Sequence, residues 1–346
     1  MSRQQYGPAV PGPHETAHYP LLPAHRARPL EPSVVQAIES RITSLAMLDD
    51  SMGSGRLLHT AASEISMISN LLAQDRASDP PTARALQTLA AYAAAAGAWM
   101  SFDAGRHSVA DSYYRFGLRA AASANFGYLQ AYLQTMLAMQ LCELGQTSEV
   151  ATLLRAAEVA ARPGGAARVT ALTQVVHALV QAHRGDPFAC QRALDEARTT
   201  LQSEAEVDPV VLTYWVTDAW IEICAGTALL RLGQPREAIN HFRLLDSGGF
   251  PVHQYPRDAA IYFSRAATAQ LGAGHIDAAV IYAHRALDLL EGICSARATE
   301  AVTRVGRALS RGQQSVTVRE FTVRLREQSS PLRLADGSRN EGSPED

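Results

Sequence analysis

The sequence predicts an all-α protein built as a solenoid of paired helices. Between residues 31 and 312, apolar side chains recur at intervals of three, four and seven residues, which is the spacing of one face of an α-helix. This stretch lacks the strict alternation of apolar and polar residues that indicates a half-buried strand. A pattern of helix, turn and helix also occurs five times, and such repetition indicates a repeat architecture.

The two ends of the chain lack this periodicity. Residues 1–30 are rich in Pro, His and Gly and are expected to form a disordered leader. Residues 313–346 are expected to form a weakly structured tail. The predicted repeat domain therefore covers residues 31–312.

Two helical pieces flank the five repeats inside this domain. Residues 33–74 predict a helical hairpin that Gly53 and Gly55 interrupt, and this hairpin is expected to be a diverged sixth unit. Residues 297–310 place Ala301, Val302, Val305, Ala308 and Leu309 on one face of a helix. That helix is expected to cap the last repeat, because a solenoid otherwise ends in an exposed apolar face.

The five repeats share a turn glycine and small residues at fixed distances from it. Glycine permits the left-handed backbone that ends a helix. A small residue seven positions before the glycine, and further ones after it, would let the two helices of a pair cross closely. The turn glycines are Gly105, Gly145, Gly185, Gly233 and Gly274, and the preceding small residues are Ala98, Ala138, Ala178, Gly226 and Ala267.

This pattern resembles the tetratricopeptide repeat, whose period is about 34 residues. The turn glycines here are 40, 40, 48 and 41 residues apart, which implies longer helices or loops. The tryptophan that opens the first helix of the usual repeat is missing, since Trp99 and Trp220 stand at other positions. The repeats are therefore degenerate.

Composition excludes several functional classes. The net charge is −3, so the chain lacks the basic surface expected of a nucleic-acid-binding protein. All 31 basic residues are arginine, which excludes a Walker lysine, a Schiff-base lysine and a kinase lysine. No signal peptide or membrane span is evident, and we expect a cytoplasmic protein with no membrane partner.

Neither a cofactor nor a metal ion is expected. No histidine pair has metal-ligand spacing with a third ligand in support. No cysteine belongs to a C-x-x-C pair, and all four lie in apolar helical patterns that predict small core residues. These cysteines are Cys142, Cys190, Cys224 and Cys294.

Three strings give a more specific resemblance: WMSFDAGRHSVADSYYRFGLRAA, CAGTALLRLGQPREAINHF and AAVIYAHRALDLLEGICSARATEAVTRV. Together with the earlier SRITSLAMLDD, they resemble the C-terminal tetratricopeptide-like region of actinobacterial helix-turn-helix transcriptional regulators, over about residues 33–310. The resemblance implies the sensor half of a regulator, of the kind expected in secondary metabolism. Residues 1–30 contain no helix-turn-helix motif, so direct DNA binding is not implied.

The first helices of the predicted pairs carry apolar and aromatic residues on the face that lines the groove of a tetratricopeptide array. An exposed apolar surface of this size usually has a partner, and basic residues are nearly absent from it. We therefore expect a hydrophobic small molecule or an apolar peptide in this groove, and a protein partner is a further option. The predicted ligand-binding residues are Tyr92, Trp99, Phe102, Tyr132, Thr135, Met139, Leu179, Trp220 and Ile223.

A second hypothesis is a cofactor-independent enzyme in the same cavity, such as a cyclase, dehydratase or isomerase. Such chemistry needs positioning and one or two acid–base groups. Asp218 and Glu222 are four residues apart and would share one helical face. No G-x-S-x-G nucleophile motif is present, and the catalytic residues stay undetermined. The candidates are Asp103, Tyr132, His177, His183, Asp218 and Glu222.

Overall fold

The computed structural model describes residues 30–73, 80–146, 148–161, 166–203, 210–312 and 315–329. Within these ranges every element of regular secondary structure is a helix and no strand occurs, as the sequence predicts. The disordered leader predicted for residues 1–30 lies outside the described residues apart from Leu30, and so does the tail from residue 330 onward.

The described residues form two compact units, each of which contains several of the predicted helices. Of the described residues, the first unit comprises those within 30–49, 53–173 and 210–214. The second unit takes residues 50–52, 174–203 and 215–329.

Among the described residues, six helices belong to the first unit. The last three residues of α1, 50–52, are assigned to the second unit. A short 3-10 turn over Ser54–Arg56 follows α1. The helices are α1 Pro32–Met52, α2 Leu58–Ala73, α3 Pro80–Asp103, α4 His107–Ser123, α5 Gly127–Glu143 and α6 Val150–Ala161.

Helix α7, Ala167–His183, is divided between the units, and a 3-10 turn at Val211–Thr213 precedes α9. The second unit contains the remaining helices. They are α8 Pro187–Gln202, α9 Asp218–Arg231, α10 Pro235–Phe242, α11 Leu244–Ser247, α12 Pro256–Gly272, α13 Ile276–Asp288, α14 Ala296–Gly312 and α15 Val316–Ser329.

The five predicted turns are confirmed. All five turn glycines have left-handed backbone, with φ between 72° and 86°, and each separates two consecutive helices. At the first turn the Arg106 N–H donates to the Ser101 carbonyl at 2.7 Å and the Gly105 N–H donates to Phe102 at 3.0 Å. This pair of hydrogen bonds is the Schellman motif, and it recurs at the other four glycines.

The repeated small residues are buried at every predicted position. In the pair α9 and α10, a Cβ added to Gly226 would lie 3.0 Å from both His241 Cβ and Phe242 Cζ, so the two helices approach closely there. Packing contacts likewise join α3 with α4, α5 with α6 and α12 with α13. The residues five and nine positions after each glycine are also buried: Ala110, Val150, Cys190, Ala238 and Ala279, and Tyr114, Leu154, Leu194, Phe242 and Ala283.

The predicted hairpin at residues 33–74 is also confirmed, as α1 and α2. Gly53, with φ 77°, stands at the turn between them. Within the first unit, Leu45, Leu57 and Ala61 of this hairpin pack with Ala96 and Met100 of α3.

The prediction for the C-terminal region is partly wrong. Helix α14 matches the predicted cap, and Val302, Val305 and Leu309 are buried on its inner face, although Ala308 is exposed. The stretch expected to be weakly structured from residue 313 contains α15 over Val316–Ser329. Helix α15 packs on both α13 and α14, so α14 is itself covered.

One cysteine also departs from the prediction. Cys142, Cys190 and Cys224 are buried in helices, as expected of small core residues. Cys294 is exposed and lies in the segment between α13 and α14.

Candidate functional site

The predicted groove residues are largely buried instead of forming an exposed apolar surface. Thr135 and Ile223 are completely inaccessible to solvent, and Phe102 is nearly so. Tyr92, Tyr132, Leu179 and Trp220 are also buried, whereas Trp99 and Met139 are half-buried. The expectation of an open apolar face on the first helices is therefore wrong in this structure, while ligand contact by these residues stays a prediction.

Several of these side chains contact one another or other protein groups. The Trp99 ring meets the edge of Phe102 at a centroid distance of 5.9 Å, and the Trp220 ring meets Trp215 at 5.0 Å. The Thr135 hydroxyl lies 2.9 Å from the Thr173 hydroxyl, within the first unit. The Trp99 and Trp220 rings and the Thr135 hydroxyl thus already have contacts within the protein.

The other acid–base candidates differ in burial and are divided between the two units. Asp103 is fully buried at the end of α3, in the first unit. His177 is half-buried in the second unit, and its Nε2 lies 2.9 Å from the Gln181 side-chain nitrogen. His183 and Asp218 are exposed.

Glu222 belongs to a half-buried cluster that joins three helices of the second unit. Arg198 Nε on α8 donates to Glu222 Oε1 at 2.7 Å, and His241 Nδ1 on α10 lies 2.8 Å from Glu222 Oε2. Burial raises the pKa of Glu222, but hydrogen bonds from Arg198 and His241 outweigh it, so the net pKa lies below the ordinary value. A carboxylate held ionised in this way is a poor proton donor at neutral pH and serves to tie α9 to its neighbours.

An open groove of about 670 Å³ lies along helix α8. Its lining combines one aromatic ring with charged, hydroxyl and amide groups. The residues of this α8 groove are Gln174, Phe188, Gln191, Arg192, Asp195, Glu196, Thr199, Thr200 and Ser203.

Helix α8 presents this groove because its two faces differ in sequence. Cys190, Ala193, Leu194 and Ala197 are spaced for one helical face and are buried. The opposite face carries the polar groove residues and is exposed or half-buried. The start of the helix is stabilised, since Pro187 stands in its first turn and the Asp186 carboxylate accepts a hydrogen bond from the Ala189 N–H at 2.9 Å.

Phe188 is the most prominent feature of the groove. With 87% of its surface exposed, it is the most exposed large apolar side chain among the described residues. It lies three, four and seven positions before Gln191, Arg192 and Asp195, so it shares their helical face. Sequence reasoning missed Phe188, although an aromatic residue on the polar face of an amphipathic helix was a usable signal.

Polar groups beside Phe188 are held in place by side-chain contacts. Asp195 Oδ1 accepts hydrogen bonds at 2.9 Å from both Gln191 Nε2 and Arg198 Nη1. Because Arg198 also binds Glu222, the groove surface is connected to the cluster under it. The exposed ring of Phe188 therefore shares its helical face with polar groups that have fixed hydrogen bonds.

A second cavity, of about 600 Å³, lies near the C-terminal end of the second unit. Its apolar walls are formed by Leu287, Leu290, Ile293 and Leu325, and its rim includes Glu291. It is smaller than the α8 groove and contains no aromatic side chain.

Neither a metal site nor a membrane-spanning helix is found in the parts of the chain that the structure describes. No group of three His, Cys, Asp or Glu side chains is arranged to bind a metal ion there. Over the same residues, none of the helices combines the length and the apolar character needed to cross a bilayer. Comparison with known proteins found no matching family model and no matching curated protein.

Proposed function

We propose that this chain is a tetratricopeptide-like helical-repeat module that binds a peptide segment of a partner protein in the α8 groove. The repeat interpretation is supported by the five left-handed glycine turns and by the small residues buried at the same position in each pair. The groove lies on the second helix of one such pair. We therefore propose α8, and not the first helices, as the contact surface.

The exposed ring of Phe188 is the observation on which this function depends. Aromatic side chains are enriched among the residues that dominate binding energy at protein interfaces. Here the ring stands beside Arg192, Asp195 and Glu196, which offer both signs of charge to polar groups of a ligand. We propose a peptide with an apolar side chain packed on Phe188 and flanking polar or oppositely charged groups.

The resemblance to actinobacterial regulators adds a proposed context. In this view the chain recognises a component of a regulatory complex and does not itself contact DNA. The hydrophobic small molecule that the sequence predicts is less well supported, because the residues expected to bind it are already packed in the core.

The proposal can be tested by selecting binders from a library of displayed random peptides on the full chain. Selected peptides are then synthesised and titrated against wild type and Phe188→Ala. We expect Phe188→Ala to weaken binding at least about tenfold, since an aromatic residue that dominates an interface contributes about 2 kcal/mol or more and about 1.4 kcal/mol corresponds to tenfold. Val159→Ala is the matched control, because Val159 is also highly exposed but lies on α6.

Two outcomes would contradict this function. One is failure to select any peptide that binds the wild-type chain. The other is selection of peptides whose affinity is the same for Phe188→Ala as for the wild type, with the variant folded by circular dichroism.

A further inference from the structure

Helix α15 has two different faces. Its inner face buries Val318 and Phe321 within the second unit. The space where Gly306 of α14 would carry a side chain is taken by Leu325 and Phe321, so α15 lies close against α14. On the opposite face Val316 and Val323 are 60% and 52% exposed.

The outer face has a regular charge layout. Val316 and Val323 are seven residues apart, which places them on one stripe along the helix. Both valines line a shallow trough of about 400 Å³. At about 100° per residue, Arg319 and Arg326 fall on one side of this stripe. Glu320 and Glu327 fall on the other side.

Contacts within the second unit do not neutralise all of these charges. Arg324 turns toward α13, where it binds Asp288 and lies 3.2 Å from His284 Nδ1. For Arg319 and Glu320, no ion pair is present among the described residues, and both side chains are exposed. They are thus available to charged groups of another molecule.

We propose that the outer face of α15 binds the same face of a second copy of this chain, with the two helices parallel about a two-fold axis. We call the two sides of the stripe its arginine flank and its glutamate flank. In a parallel pair the arginine flank of one copy meets the glutamate flank of the other copy. Arg319 then faces the glutamate flank of the other copy, and Glu320 faces its arginine flank. Glu327 lies one heptad after Glu320 and extends the same glutamate flank.

The charge layout also selects the orientation. In an antiparallel two-fold pair, each flank meets the same flank of the partner, so arginine would oppose arginine and glutamate would oppose glutamate. Like charges placed together at an interface are unfavourable. Only the parallel arrangement brings the valine stripes together with opposite charges on both sides.

The dimer is expected to be weak and dependent on concentration. Helix α15 has 14 residues, so it is about 21 Å long and offers about two heptads of contact. Contacts of this size belong to the small, transient class of interfaces. Salt should weaken the dimer, because exposed ion pairs are screened.

Sedimentation equilibrium of the full chain, up to about 100 µM, tests the interface. Wild type should show a monomer–dimer equilibrium, and Val323→Glu should remain monomeric and folded. Arg319→Glu should weaken the dimer at least about tenfold, because two glutamates then face each other. The double variant Arg319→Glu with Glu320→Arg should restore it. A monomeric wild type, an unchanged Val323→Glu dimer or failure of the double variant to recover would overturn the proposal.

A cysteine cross-link tests the orientation separately. Val316→Cys is made in a Cys294→Ser background, because Cys294 is the exposed native cysteine in the described part of the chain. Parallel helices bring the two introduced thiols together, so mild oxidation should give a disulfide-linked dimer. An oxidised sample that sediments as a reversible dimer without this cross-link would show a different arrangement and overturn the parallel model.

Discussion

Helices α3 and α8 differ in how much of their surface is buried. From Leu89 to Ala98, every residue of α3 is buried. Helix α8 buries one face and leaves the other to solvent, with Phe188 at its start. First helices of this kind are core elements, which is why we propose a second helix, α8, as the contact surface.

Among the variants that test this contrast, Trp220→Ala should have the largest effect on stability. The ring is 7% exposed and packs edge-on against Trp215, so its removal leaves a cavity. We expect a loss of about 3–5 kcal/mol in the free energy of unfolding, measured by chemical denaturation. Trp220→Phe, which keeps part of the ring, should lose less. A near-normal stability of Trp220→Ala would mean that the ring faces an open groove.

A smaller loss should follow from enlarging a helix crossing with Ala98→Leu. Ala98 is fully buried in α3 at the position where each pair has a small residue. The added atoms would overpack this site and destabilise the protein by about 1–3 kcal/mol. The matched control is Gln191→Leu on the exposed face of α8, which should stay within about 0.5 kcal/mol of wild type. Equal losses in both variants would remove the distinction between the two helices.

The next prediction concerns how stability depends on pH through the cluster of Glu222, Arg198 and His241. The pKa of Glu222 is lower in the folded protein than its ordinary value of 4.5, despite the opposing effect of burial, because Arg198 and His241 donate to it. Its stabilising contribution is therefore present above about pH 4.5 and is lost as pH falls through the folded-state pKa. Glu222→Gln should reduce this acid dependence, at a cost near neutral pH of about 1 kcal/mol or less. Identical pH profiles for variant and wild type, from unfolding curves between about pH 3 and 7, would contradict this role.

The smallest effect should come from His284 on α13, beside Phe321 and Arg324. Burial and the Arg324 charge lower the pKa of His284 from its usual 6.5. Since the unfolded chain takes up this proton first, stability should fall slightly as pH drops below about 6.5. His284→Asn should flatten that part of the profile. A loss of stability on raising the pH through the same range would give the wrong sign.

The sequence predicted the turns and their buried small residues because both have strong local causes. Left-handed backbone favours glycine, and a close helix crossing favours alanine. The turn between α4 and α5 was missed because Asn125, with φ 53°, takes the left-handed position that was sought only at glycines. The Phe126 N–H nevertheless donates to Ala121 at 3.0 Å, as in the other turns.

Helix α15 and the burial of the aromatic residues could not be predicted in the same way. Val316, Thr317, Val318, Thr322 and Val323 are β-branched and have modest helix propensity, so packing on α13 and α14 stabilises this helix. For Tyr132 and Trp220 the sequence indicates a face of a helix, but it does not show whether another element covers that face. Tertiary packing decides whether such a face is a groove or a core.

Hydroxyl-radical footprinting with mass spectrometry tests this distinction most directly, because it reports the solvent exposure of individual side chains. In the free protein we expect rapid oxidation of Phe188 and strong protection of Phe102, Tyr132 and Trp220. A selected peptide should then protect Phe188 and leave the other three unchanged. Oxidation of Tyr132 and Trp220 as fast as Phe188 would show that the first helices form an open groove, and would contradict the assignment of the contact surface to α8.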